Sequence, residues 1–279
     1  MALKTIFILF SLSCKLVARL LSHSAGYVTY GGEYYGGQTR MSAWGVPDIN
    51  PNSLSEVSLT LVNFNGDFNG TGHISALRVG LHVFPWLYHN NRLRFFTMWD
   101  NAAKLSAPCY NTDCPGFVVA NSSIIYPGQA VSPLSQYDGE DRYITFSIRK
   151  DPLTQLWTLY REDYNTSMKI GWWQKGILGG LEDKADNVQW VAYVEYPDNE
   201  AGPSMGSGHF PREGKHKAAY MADLKHFDQA GNSYSPSIYD LSGGADRPDC
   251  YTVLPAAAFW GERGDRHKFY YGGPAGCRN

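Results

Sequence analysis

The sequence predicts an all-β fold, a single-domain, two-sheet antiparallel β-sandwich of jelly-roll-like form. Three observations lead there. Tyr, Phe and Trp make up 14% of the 279 residues and Gly occurs 29 times, a composition that favours strands and tight turns. About ten short segments alternate polar and apolar residues and are separated by turn residues. Long runs of helical periodicity are missing.

Taken in chain order, "MALKTIFILFSLSCKLVARLLSHSAG" begins with Lys4 and an apolar run over residues 5–13 that is too short to span a bilayer. It reads as a secretory leader over residues 1–25, with Ser22 and Ser24 as the small pair before cleavage. A buried strand is the other reading of the same residues. The domain proper is then expected over residues 26–279. "GYVTYGGEYYGGQTRMSAWGVP" alternates aromatics with glycine, and "EVSLTLVNFNG" alternates polar with apolar positions. "HISALRVGLHVFP", "NRLRFFTMWD", "PGFVVAN", "RYITFSIRKDP", "LWTLYRED", "MKIGWWQ", "VQWVAYVEYP", "AAYMADLKHFD" and "YTVLP" repeat that grammar. "KDPLTQLW" is a hairpin loop with Pro152 at a turn position. Only "KGILGGLEDKADN" has helical character, cut short by Gly179 and Gly180.

A formal charge of −2, with 18% charged residues, provides no basic surface for nucleic acid or an anionic membrane. No later stretch is apolar enough for a membrane helix, so the mature chain is expected in the extracellular space as a monomer. Cys14 lies in the leader, which leaves Cys109, Cys114, Cys250 and Cys277, enough for two disulfides. In "PCYNTDCPGF" a short disulfide-closed loop is the better reading of Cys109 and Cys114, because a zinc site would need a second close pair. Sequons at Asn69, Asn121 and Asn165 suit the same compartment. No metal or cofactor is expected.

"GPSMG" at residues 202–206 satisfies the G-x-S-x-G pattern of a serine-hydrolase elbow. The loop-like residues around Ser204 lack the strand and helix that the elbow needs. His209, between turn residues, reads as a structural histidine. Glu140, Glu162 and Glu182 read as solvated charges at strand ends.

Several stretches together resemble the neprosin family of secreted plant proteins, glutamic peptidases of the prolyl-endopeptidase type. "CYNTDCPGFV", "RLRFFTMW", "YITFSIRKDPLTQLWTL", "IGWW" and "MGSGHFPREGKHKAAYM" are similar to family motifs and occur in family order, from about Tyr30 to Cys277. The resemblance implies a glutamic-peptidase-like sandwich with a groove across one face. It also implies disulfides pairing Cys109 with Cys114 and Cys250 with Cys277. The pro-domain of active members is not recognisable.

Active members use two glutamates on separate strands: one ionised to activate water, the other protonated to donate to the leaving amine. The stretches similar to theirs are "LRVGLHVFP" and "WVAYV". Arg78 stands at the first glutamate position and Tyr193 at the second, with Leu81, His82, Val191 and Ala192 replacing neighbouring family residues. Arginine is charged at every biological pH, and tyrosine titrates near 10, so neither replaces an acid-range carboxylate. The expectation is a family member without peptidase activity. One alternative is an altered peptidase that uses Glu195, two residues from Tyr193 on the same strand face, with His82. Another is a binding module whose groove, lined by Arg78, His82, Tyr193 and Glu195, holds a proline-rich peptide or a cell-wall glycan. Glu195 itself is expected to be paired with a cation or solvated.

Overall fold

The computed structural model describes residues 19–64, 74–101, 107–254 and 267–278. Alternation of side chains along the strands creates two sheets that share one apolar core. In chain order the strands are β1 (Leu20–Tyr34), β2 (Gly36–Ser42), β3 (Leu54–Asn63), β4 (Ser75–Val83), β5 (Arg94–Asn101), β6 (Cys109–Tyr110), β7 (Phe117–Val119) and β8 (Tyr143–Lys150). They continue as β9 (Trp157–Arg161), β10 (Met168–Trp173), β11 (Ala185–Pro197), β12 (Ala219–Phe227), β13 (Ser233–Tyr234), β14 (Leu241–Ala245), β15 (Thr252–Val253) and β16 (Phe269–Gly272). A one-turn helix, α1 (Pro85–Tyr88), follows β4. The expected helical stretch near Gly179 is reduced to a 3-10 turn over Gly179–Glu182.

The first sheet runs β14-β1-β11-β3-β4-β5-β6, and the second runs β15-β16-β12-β2-β8-β9-β10-β7 with β13 beside β12. All named strand pairs are antiparallel. Val57, Leu59 and Leu61 of β3, Leu77, Val79 and Leu81 of β4, and Val188, Trp190 and Val194 of β11 point inward. They meet Met41, Ile144, Phe146 and Leu159 from the second sheet in one core. The all-β sandwich read from alternation is the observed architecture.

β1 begins inside the expected leader. Residues 20–25 pair in register with residues 192–197 of β11, and the Ser24 amide donates to Asp246 at 2.7 Å. A leader boundary at residue 25 therefore falls within a paired strand, whereas residues 1–18 of the leader lie outside the described residues. Removing residues 20–25 would strip one edge of β11 of its hydrogen-bond partners along half its length, leaving β3 on the other edge. If the chain is secreted, its N-terminus is expected at or before Leu20, as intact-mass analysis would show. A product starting at Gly26 would mean that β11 stands without this partner.

Both expected disulfides form, Cys109 to Cys114 and Cys250 to Cys277, with Cα separations of 6.0 and 5.6 Å. Asn121 and Asn165 are exposed, and Asn69 lies outside the described residues. Among the described residues no helix is long and apolar enough to cross a membrane.

Candidate active site

Period two along β3, β4 and β11 decides which side chains leave the core. With Val57, Leu59 and Leu61 inward, Glu56, Ser58 and Thr60 must point to the outer face of the first sheet. On β4 the same parity sends Arg78 and His82 outward, and on β11 it sends Gln189, Val191, Tyr193 and Glu195. Register then sets the rows: Tyr193 lies opposite Glu56, which lies opposite His82, while Gln189 lies opposite Thr60, which lies opposite Arg78.

An outer face of an antiparallel sheet is commonly wet. This one is withdrawn from water: Glu56 is 3% exposed, Arg78 6%, Tyr193 4% and His82 0%. Buried polar groups must therefore satisfy one another. The Arg78 guanidinium does most of this. Its Nη1 donates to Glu56 Oε1 at 3.0 Å, its Nε donates to Thr60 Oγ1 at 3.1 Å, and its central carbon lies 4.9 Å from the Tyr193 ring centroid. Arg78 and Tyr193, the two residues that the resemblance puts at the family's glutamate positions, thus contact each other across β3.

His82 lies under the same cluster. Its ring stacks on Phe96 at 4.0 Å with only 7° between the planes. Gly80 permits this approach, since a Cβ there would come within 3.0 Å of Phe96 and 2.1 Å of the Val57 carbonyl oxygen. Asn111 Nδ2 donates to the Tyr88 hydroxyl at 2.9 Å, and that hydroxyl lies 3.0 Å from His82 Nε2. Accepting from Asn111 leaves the Tyr88 hydroxyl proton free, so Tyr88 can donate to Nε2 of the neutral ring. Nδ1 faces Glu56 Oε2 at 3.9 Å, an electrostatic contact too long for a hydrogen bond. The Cys109–Cys114 loop sets Tyr110 beside this cluster, opposite Met98 of β5.

The electrostatics follow from burial and from Arg78. Burial alone would raise the Glu56 pKa, but the Arg78 guanidinium and His82 bring it below the usual carboxylate value, so Glu56 is ionised. Burial pushes His82 down despite Glu56, which keeps it neutral. Tyr193 is pushed up to about 12 by burial and stays a phenol. Glu195 is raised to about 7 by burial and then by the Glu56 charge, with Arg78 opposing. Glu195 makes no ion pair or hydrogen bond with a described residue and is only partly exposed. Of the two expectations for Glu195, the cation pair is not formed among the described residues, and the side chain is half-buried at the end of the strand, with Arg78 acting on it through space.

Chemically, the centre of this face holds a permanent cation, a phenol and a carboxylate fixed by that cation. Arg78 cannot accept a proton, and the basicity of Glu56 is suppressed by its ion pair. Glu195 is the one group of the set that titrates near neutrality. It lies opposite Leu54, diagonal to Glu56, a placement that separates Cα atoms by about 7–8 Å. Among the described residues no group of three His, Cys, Asp or Glu side chains is arranged to hold a metal. A hollow of about 730 Å³ opens beside α1, where Pro51, Pro85, Trp86 and Asn91 line it, and no member of the Arg78 cluster reaches it.

Sequence reasoning named Arg78, His82, Tyr193 and Glu195, and the structure brings the first three into one cluster with Glu195 on the same face. It missed Glu56, Thr60, Gln189 and Tyr88. The alternation in "EVSLTLV" already placed Glu56 on the outer face, but its meeting with Arg78 is tertiary. Other candidates lie elsewhere. Ser204 sits in a loop, where its carbonyl accepts from the Ser55 hydroxyl at 2.8 Å. His209 pairs through Nδ1 with Glu213 at 3.0 Å and packs on Tyr137. The three glutamates expected to be solvated differ in outcome. Glu140 is exposed beside Arg142, whereas Glu162 bonds Arg149 at 2.9 Å and Glu182 accepts from the Gly176 and Leu178 amides.

A family model described as Neprosin matches residues 53–274, a span that includes β3, β4 and β11. Two solved structures of scytalido-glutamic peptidase are similar to the chain. One, with a peptide-based transition state analog, has 10% identity and a TM-score of 0.42 over 92% of this chain and 100% of that chain. The other, with a transition state analog inhibitor, has 9% identity and a TM-score of 0.43 over 91% of this chain and 98% of that chain.

Proposed function

Since this chain belongs to the neprosin family, we propose that it is a secreted, glycosylated member that has lost glutamic-peptidase activity. The observation that carries this reading is the closed Arg78 cluster. The guanidinium stands where the resemblance puts the first glutamate, 4.9 Å from the Tyr193 ring at the second position and 3.0 Å from Glu56. A glutamic peptidase needs one carboxylate free to take a proton from water and another free to donate. Here Glu56, the carboxylate that Arg78 contacts at 3.0 Å, is neutralised by that cation. Val191, where the family carries glycine, packs with Val28 and Tyr193 and fills the space beside the phenol. Two disulfides support an oxidising compartment.

One observation favours a second reading, an altered peptidase. Glu195 near neutrality and an ionised Glu56 on one face have their affinities for protons split, as acid and base partners do. A proline-containing peptide incubated with purified protein between about pH 2 and 6, where carboxylates titrate, separates the two readings. No fragments are expected. Cleavage that vanishes in Glu195→Gln would establish the altered peptidase.

Loss of turnover leaves a binding role, for which a proline-rich peptide is one ligand class. Arg78, His82 and Tyr193 are buried, so such a ligand would meet Glu195 and the hollow by Trp86 before it met them.

A further inference from the structure

The connection between β4 and β5 carries the one tryptophan that is exposed among the described residues. Trp86 is 45% exposed, although rings of that size are highly buried on average. Its surroundings fix it. Pro85 opens α1 with a backbone angle already suited to a helix. The His89 amide closes the turn on the Pro85 carbonyl at 2.7 Å, and the Phe84 ring backs the indole at 5.8 Å with 29° between the planes. The indole is therefore preorganised where it lines the hollow beside α1.

That hollow, about 730 Å³, has the size of a small-molecule site. Pro51, Pro85 and Leu87 give it apolar walls, and apart from His89 no lining residue can ionise. Its polar groups are open to a ligand. The side chains of Asn52 and His89 are exposed and bond no described residue. Asn91 commits its Nδ2 to the Pro47 carbonyl at 2.6 Å, which leaves Oδ1 as an acceptor.

We infer that the hollow binds a neutral oligosaccharide of pyranose rings. The flat C–H face of such a ring stacks on Trp86, while its hydroxyls, each both donor and acceptor, pair with the Asn52 amide, the His89 imidazole and Asn91 Oδ1. A lining without Asp, Glu, Lys or Arg has no means of selecting a charged polymer. A proline-rich peptide would also stack on the indole. Its prolines have no N–H, however, and would leave the asparagine acceptors unpaired. The hollow lies apart from the Arg78 cluster, so the inference does not rest on whether the chain cleaves peptide.

The test is titration of the full chain with cellohexaose and with xylohexaose, read by calorimetry and tryptophan fluorescence, with decaproline and a galacturonate hexamer as controls. At least one neutral hexamer is expected to bind and to shift the emission to the blue, with an affinity that salt up to about 1 M leaves unchanged. Trp86→Ala should weaken binding about tenfold or more and abolish the emission shift, and Asn52→Ala should weaken it about threefold. Both side chains are exposed, so melting temperatures should not change. Failure of both neutral hexamers to bind, equal binding to Trp86→Ala, or tighter binding of decaproline or of the charged hexamer would overturn the inference.

Discussion

Arg78→Met is expected to destabilise the protein by about 3–5 kcal/mol, because it leaves the Glu56 carboxylate buried without its cation. The Glu56 side chain has no exposed surface, and Arg78 supplies its 3.0 Å hydrogen bond. His82 cannot take over, since Nδ1 stands 3.9 Å away and burial keeps the ring neutral. Urea denaturation at neutral pH reads the loss. Adding Glu56→Gln to Arg78→Met should recover most of it, because the amide carries no charge and the defect is an unpaired ion more than a missing shape. A single-variant loss under about 1 kcal/mol would place the pair in contact with water, as exposed ion pairs are.

The same dependence bears on redesign. Changing Arg78→Glu together with Tyr193→Glu, the simplest attempt to rebuild the family dyad, puts two new carboxylates beside Glu56 and removes the cation that holds it. That variant is expected to unfold near neutral pH, as circular dichroism would show, and to gain no turnover.

Glu195→Gln is expected to act in the opposite direction, stabilising the protein by about 3 kcal/mol at pH 8 and by almost nothing at pH 4. The folded protein holds Glu195 at about 7, above an ordinary value of 4.5. Below the lower value both folded and unfolded chains carry the proton, and no stability depends on it. Between the two values the unfolded chain releases its proton and the folded chain retains it. Wild-type stability therefore falls as pH rises through this window and levels off above about 7. Glutamine imitates the protonated side chain and removes that decline. Glu56 contributes with the reverse sign: its lowered value gives stability above the normal carboxylate range that is lost as the solution is acidified. Thermal melts of wild type and Glu195→Gln at pH 4 and pH 8 check both signs.

The sandwich was legible because period-two alternation is local. "EVSLTLV" places Val57, Leu59 and Leu61 in the core and the residues between them on the other face, as observed. The two-residue strands β6 and β13 were beyond such a reading, as no alternation can show in so short a run, whereas "YTVLP" contains β15. The start of β1 was masked for another reason: "LLSHSAG" has the small and apolar residues of both a leader end and a buried strand. In the candidate site, Arg78 and Tyr193 could be named from motif resemblance, but the partner that fixes Arg78 could not. Glu56 is 22 positions away in sequence and meets Arg78 only through the register of β3 with β4.

The most direct test of lost activity offers the protein every substrate at once. A peptide library with proline at all positions, incubated with purified protein from about pH 2 to 8 and read by mass spectrometry, covers the titration ranges of Glu56 and Glu195. The expected result is a spectrum of intact peptides at every pH, identical for wild type and Glu195→Gln. New termini that appear with wild type and disappear with Glu195→Gln or Glu56→Gln would contradict it.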